Sequence, residues 1–172
     1  MMKSKKTLTV LLIVLGLAGF MLTACNGTKD SSDDDSSSDS ESSEEPGIND
    51  KVKLDDYVVM VADIEDPYVE TNEFLQPDEG NRYVAVEVVY ENQTDDESLD
   101  YNVYDWTLYD SEGYSYDPSF AAKDPDLGSG NVNAGDKVRG WITFEVGEDA
   151  EDFKIQFAPS WISDDNVEIK LY

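Results

Sequence analysis

Tyr83-Val-Ala-Val-Glu-Val-Val-Tyr-Glu91 decides the fold. Val84, Val86, Val88 and Tyr90 fall on one side of the run, and Tyr83, Ala85, Glu87 and Glu91 on the other. That period of two is the signature of a strand with one face buried. Val138, Gly140, Ile142, Phe144 and Val146 alternate with Arg139, Trp141, Thr143 and Glu145 in the same way. Working outward, further strands are predicted over Tyr57–Glu65, Val103–Tyr109, Asp152–Ala158 and Asn166–Leu171. Turn signals separate them: Asp78-Glu-Gly-Asn81, Glu91-Asn-Gln93, Asp110-Ser-Glu-Gly113 and Asn133-Ala-Gly-Asp136. No long amphipathic helical stretch intervenes. Short strands joined by turns across residues 51–172 predict an all-β domain, an antiparallel two-sheet sandwich.

The other end of the chain carries an address. Lys3, Lys5 and Lys6 precede an apolar run from Leu8 to Leu22, and small residues follow, the order that an export signal requires. The run closes on Leu22-Thr-Ala-Cys25, which resembles the lipobox of bacterial lipoproteins. The resemblance implies cleavage between Ala24 and Cys25, with diacylglycerol and a palmitate-like acyl chain on the cysteine. The mature chain is then anchored to the membrane without spanning it, because two acyl chains hold stably where one binds reversibly. The competing reading is an uncleaved transmembrane helix, since Thr7 to Ala24 approaches the roughly 18-residue spanning threshold. Gly16, Gly19 and the position of the only cysteine weigh against it. The expected organisation is a signal peptide over 1–24, a lipidated cysteine and linker over 25–50, and a folded domain over 51–172.

Between anchor and domain, Asp30 to Glu45 contains only Ser, Asp and Glu. Such a run has nothing apolar to bury and cannot offset the entropy of ordering, so a disordered tether is expected. As a flexible coil, 25 residues span about 28 Å, and like charges extend them further. A calcium-soaking or partner-binding acidic tail is the alternative.

Charge bounds the partners. The chain has 12 basic and 39 acidic residues, a net charge of −27, and the part beyond the signal segment reaches −30. Residues 51–172 alone carry −22. A nucleic acid partner is excluded on this balance, since phosphate binding depends on Lys and Arg, and so is lying flat on an anionic membrane. The same excess keeps a protein soluble and suits a saline medium, where screening damps the self-repulsion. There is no histidine, and acylation consumes the only thiol. Nucleophile–base pairs of the Ser-His and Cys-His kind are thereby unavailable, as are the usual zinc ligands. Close carboxylate pairs arise by chance among so many acids, so no enzyme is expected.

The order Gly80-Asn-Arg-Tyr-Val-Ala-Val86, Glu91-Asn-Gln-Thr94, Leu108-Tyr-Asp-Ser-Glu-Gly-Tyr114 and Asn133-Ala-Gly-Asp-Lys-Val-Arg-Gly140 leads into Ile142-Thr-Phe-Glu-Val146. It resembles a family of immunoglobulin-like lipoprotein domains of Gram-positive bacteria, similar in fold to the mycobacterial secreted immunoprotective antigen. The resemblance implies an immunoglobulin-like sandwich on the outer face of the cytoplasmic membrane. It brings no catalytic residues.

Two local features offer binding chemistry. Asp124-Pro-Asp-Leu-Gly-Ser-Gly-Asn131 places Asp124, Asp126 and Asn131 around two glycines, donors suited to calcium, although the spacing is not that of an EF-hand. An ordinary inter-strand loop reads the same way. Trp141 lies opposite the apolar face of its strand, beside Arg139 and Thr143. There it is either exposed, to stack on a sugar or anchor a protein, or packed across strands against a neighbour such as Tyr83. Trp106 reads as a core residue in phase with Tyr104 and Leu108, and Tyr109, Tyr114 and Tyr116 are expected to pack on one another. The functional expectation is a membrane-anchored extracellular module that binds an envelope protein or glycan, with a calcium-binding surface domain as the alternative.

Overall fold

A computed structural model describes residues 45–159 and 166–172 of the chain. The chain divides into two units, Met1–Ser40 and Glu41–Tyr172, and every described residue belongs to the second. The expected signal segment, Ala24, Cys25 and residues 26–44 of the expected tether lie outside the described residues. Residues 46–50, also expected in the tether, are instead bonded into the fold: Asn49 N donates to Val61 O and Lys170 N to Pro46 O, each at 2.8 Å, and Ile48 packs against the core.

Among the described residues ten strands form in chain order: β1 (Val52–Leu54), β2 (Tyr57–Tyr68), β3 (Asn81–Asn92), β4 (Leu99–Asn102), β5 (Trp106–Tyr109), β6 (Ser115–Tyr116), β7 (Ser129–Val132), β8 (Lys137–Gly147), β9 (Lys154–Phe157) and β10 (Val167–Lys170). The first sheet runs β1-β2-β3-β8, the second β10-β9-β5-β6, and β4 pairs with β7 in a small third ribbon. Every strand pair is antiparallel. The protein is an all-β antiparallel sandwich.

Strand β3 is central, hydrogen-bonded to β2 along one edge and to β8 along the other. Its inward residues Val84, Val86, Val88 and Tyr90 pair in register with Phe144, Ile142, Gly140 and Val138 of β8. They join Trp106, Leu108, Ile155, Phe157 and Ile169 of the second sheet in one apolar cluster. At its heart Trp106 Nε1 donates to Tyr90 Oη at 2.7 Å, which satisfies the indole where no water reaches. Burial pushes the Tyr90 phenol far above its ordinary range.

The structure departs from the sequence expectation in two strands. In β2 the register shifts between Val61 and Asp63. The bulge passes the inward position from Val59 and Val61 to Ile64, which pairs with Val86 and packs against the core. Val103–Tyr109 is not one strand. Val103–Asp105 is a 3-10 turn whose second amide, that of Tyr104, donates to the Asn102 side chain at 3.0 Å. The turn breaks the phase, so Tyr104 is exposed while Trp106 and Leu108 are fully buried.

Residues 117–127 cross the edge and outer face of β8. Pro118 bridges to Phe144 and Asp126 to Trp141, Trp141 N donates to Pro125 O, and Leu127 N to Trp141 O, each at 2.9 Å. Gly140 makes this approach fit. A Cβ there would lie 2.5 Å from Leu127 Cα and 2.7 Å from its nitrogen, both backbone atoms that cannot rotate away. Gly140→Ala is therefore expected to lift the strap and cost about 1–3 kcal/mol, in the range of core overpacking. Trp141 fluorescence would shift to the red. An unshifted spectrum with an unchanged melting temperature would refute the close approach.

Candidate functional site

The strap decides the fate of the expected aromatic site. Trp141 is not exposed: only 9% of its surface is accessible. The Lys123 ammonium sits 3.3 Å from the centre of its ring and is ion-paired with Glu65. Its register partner is Glu87, not Tyr83, which pairs with Glu145. Thr143 is buried as well, its Oγ1 accepting from Lys123 N at 3.2 Å, and Arg139 is forked onto Glu87. The alternation placed Trp141 correctly on the outer face. A segment some twenty residues away covers that half of the face.

Of the expected calcium residues, Asp124 and Asp126 lie on the strap. Asp126 bridges to β8, whereas Asn131 stands in β7 and donates its side-chain amide to Asp100 of β4. Among the described residues no group of three or more His, Cys, Asp or Glu side chains is placed to hold a metal ion. The hairpin tyrosines also part company. Tyr116 turns to Asp110, Tyr114 is exposed, and Tyr109 faces Lys154 across 5.8 Å.

The uncovered half of the same face carries a groove of about 260 Å³, built from three strands and the residue that precedes β1. Val58 and Met60 of β2 and Val89 of β3 make its floor, with Met60 and Val89 paired in register. Lys51, just before β1, and Lys137 and Arg139 of β8 stand around it. Glu91 of β3 bridges the two lysines, 3.4 Å from Lys51 Nζ and 2.7 Å from Lys137 Nζ. Lys137, then Lys51, hold its carboxyl below the usual carboxylate range against the opposing cost of burial. The cations remain reachable: the side chains of Lys51, Lys137 and Arg139 are 61%, 54% and 59% exposed. Lys53 is exposed on β1 opposite Val58. Half of the eight basic residues in 51–172 thus gather on this one patch.

Elsewhere the cations are committed within the fold. Arg82 uses all five of its N–H groups: two to the Asp66 carboxylate at 2.7 and 3.0 Å, and three to the carbonyls of Gly147, Glu148 and Ala150 at 2.7–2.9 Å. Lys154 pairs with Glu168 and Lys170 with Glu45.

A second depression, about 330 Å³, lies at the Arg82 end of the sandwich, lined by Asp110, Glu112, Tyr116, Glu148, Asp149 and Glu151 among others. Asp110 organises it, accepting from Tyr116 Oη at 2.6 Å and from the amides of Glu112 and Tyr114 at 3.0 Å. Burial, and next the Asp110 carboxylate, push the Tyr116 phenol up to about 12. Burial and Asp66 do the same to Tyr172. Unfolding returns both towards the ordinary value of 10.0. Between those limits the folded state binds more protons, so stability falls as pH rises. The urea midpoint should be level from pH 7 to 9 and drop between 10 and 12, with Tyr116→Phe removing part of the drop. A flat profile to pH 12 would contradict these environments.

Among curated proteins, none is similar enough in sequence to count as a relative. Solved structures share the fold. The yjhA protein of Bacillus subtilis superposes with a TM-score of 0.57 at 20% identity, over 74% of this chain and 99% of its own. A protein of the same organism provisionally described as a lipoprotein, ycdA, gives 0.56 at 19% identity over 70% of this chain, which spans only 38% of ycdA. The secreted protein MPT63 of Mycobacterium tuberculosis gives 0.55 at 12% identity, over 77% of this chain and 98% of its own. In sequence, residues 46–167 match the family described as Domain of unknown function (DUF4352). That match takes in β1 to β9, the strap and the groove, and the chain belongs to the DUF4352 family.

Proposed function

We propose that this chain is a membrane-anchored extracellular lipoprotein, held on the outer face of the cytoplasmic membrane by acyl chains on Cys25. Its folded domain is a non-catalytic binding module for another protein of the envelope. One observation carries the binding role: an uncovered apolar strip, Val58, Met60 and Val89, ringed by reachable cations on a domain of net charge −22. Partly open apolar side chains ringed by cations offer a partner both apolar contact and electrostatic orientation. A protein suits this surface better than a glycan, since no aromatic platform lines the groove. The address rests on the run Leu22-Thr-Ala-Cys25. The descriptions of ycdA as a lipoprotein and MPT63 as secreted support export. We further read the sandwich as immunoglobulin-like.

Two measurements test the reading. Metabolic fatty-acid labelling should mark the wild-type chain and vanish with Cys25→Ser, and label retained in that variant would remove the anchor. In whole cells, a photo-crosslinking residue at Met60 should give a discrete protein adduct. The same residue at Lys154, on the opposite sheet, should not. Adducts from neither position, or equally from both, would remove the binding face.

A further inference from the structure

We infer that the groove of the first sheet takes an extended peptide segment that is both acidic and apolar, laying its apolar side chains on Val58, Met60 and Val89 and its carboxylates against Lys51, Lys137 and Arg139. The inference rests on the reading of this face as the binding surface and assigns its ligand chemistry.

Size argues for a segment of chain. At about 260 Å³ the groove falls below the ~300–1,000 Å³ of sites that enclose small molecules. It is a shallow trough across β2, β3 and β8, with Lys51 at its rim, suited to one or two side chains of something laid over it. Charge selects the sign. Lys51 and Lys137 share the single carboxylate of Glu91, and Arg139 is matched by Glu87. With Lys53 the patch keeps a surplus of positive charge. An incoming carboxylate can therefore take up ammonium donors that Glu91 leaves unused. A cationic ligand meets four cations here and a net acidic remainder elsewhere on the domain, which gives the groove its discrimination. The floor selects for apolar character. Met60, unbranched and polarisable, adapts to more than one shape.

Other occupants satisfy only part of this chemistry. The chain's own residues 30–45 bring carboxylates but only Ser, Asp and Glu, and leave the floor uncovered. A second copy brings another −22. An anionic bilayer is repelled by the acidic remainder of the domain within the ~8 Å reach of its charges, and the floor is a recess and not a protrusion that could enter lipid.

The experiment uses the full chain in phosphatidylcholine nanodiscs, titrated with fluorescein-labelled nonapeptides and read by anisotropy. A peptide of alternating Glu and Val should bind at least about tenfold more tightly than a Ser/Asp peptide of equal charge or a Lys/Val peptide of equal apolar content. Lys51→Glu combined with Lys137→Glu should weaken it by about tenfold or more. Met60→Ser should weaken it several-fold, and Lys154→Glu should leave it unchanged. If the double charge reversal lowers the melting temperature, Lys51→Gln with Lys137→Gln repeats the test. Equal binding of the Ser/Asp peptide would overturn the inference in favour of charge alone, the chemistry of the chain's own tether. Preference for phosphatidylglycerol vesicles would overturn it in favour of lipid, and no binding by any peptide would overturn it outright. The Met60 crosslink in cells can survive each of these results, so the ligand chemistry and the binding face fail separately.

Discussion

Arg82→Ala should lose about 3 kcal/mol of folding stability, because it removes one partner of a half-buried ion pair and the donor to three backbone carbonyls. Arg82 closes one end of the sandwich. Its guanidinium ties Asp66 at the end of β2 to the carbonyls of Gly147, Glu148 and Ala150 in the β8–β9 turn, and it lies 5.7 Å from the centre of the Phe153 ring. Asp66 also accepts from Tyr172 Oη at 3.1 Å, which draws the last residue of the chain into the same knot. The Asp66 carboxylate is the main reason that Arg82 holds its proton above the ordinary range. Truncation leaves a carboxylate without its cation and three carbonyls to find new donors. Arg82→Lys should recover little, because an ammonium cannot fork onto Asp66 and reach three carbonyls in the plane of a guanidinium. Urea denaturation measures the loss directly. A shift below about 1 kcal/mol for Arg82→Ala would show a solvated surface pair instead.

Phe144→Ala should cost a similar amount, about 3–5 kcal/mol. That is a large part of the ~5–15 kcal/mol that keeps an ordinary domain folded. Phe144 is fully buried, faces inward from β8 opposite Val84 and belongs to the cluster that joins the two main sheets. Its removal forfeits the transfer free energy of the ring and leaves a cavity that two hydrogen-bonded strands cannot collapse to fill. Phe120→Ala supplies the contrast: that ring is 92% exposed on the strap, and its loss should stay within about 0.5 kcal/mol. Equal effects of the two truncations in thermal or urea unfolding would sink the assignment of the core.

Much of this was legible in one dimension. The inward faces of β3 and β8 are those of the alternating runs, because a strand buried on one side selects apolar residues at every second position whatever its partner is. The core position of Trp106 was legible on the same ground. The strands β1, β4, β6 and β7, of two to four residues each, were not. Asn92 reads in sequence as a turn residue. In the structure it is wholly buried at the end of β3, its amide donating to the carbonyls of Glu97 and Val132. A polar residue closing an apolar run was the only trace of that role.

The sequence by itself determined the all-β class, the two long central strands, the export-like segment and the acidic charge, because composition and periodicity are properties of the chain alone. Only the tertiary structure decided what lies on top of the outer face. Alternation reports which side of a strand a residue occupies, and it is silent about a segment that returns from elsewhere to cover it. Hence Trp141, read as exposed or cross-strand packed, sits beneath the strap and Lys123. Val58, Met60 and Val89, which drew no notice as short apolar positions in two separate strands, line an open groove with Lys51, Lys137 and Arg139. Pairing of β1, β2, β3 and β8 put those residues within reach of one another, and it does so through hydrogen bonds between backbones that no local pattern of side chains encodes.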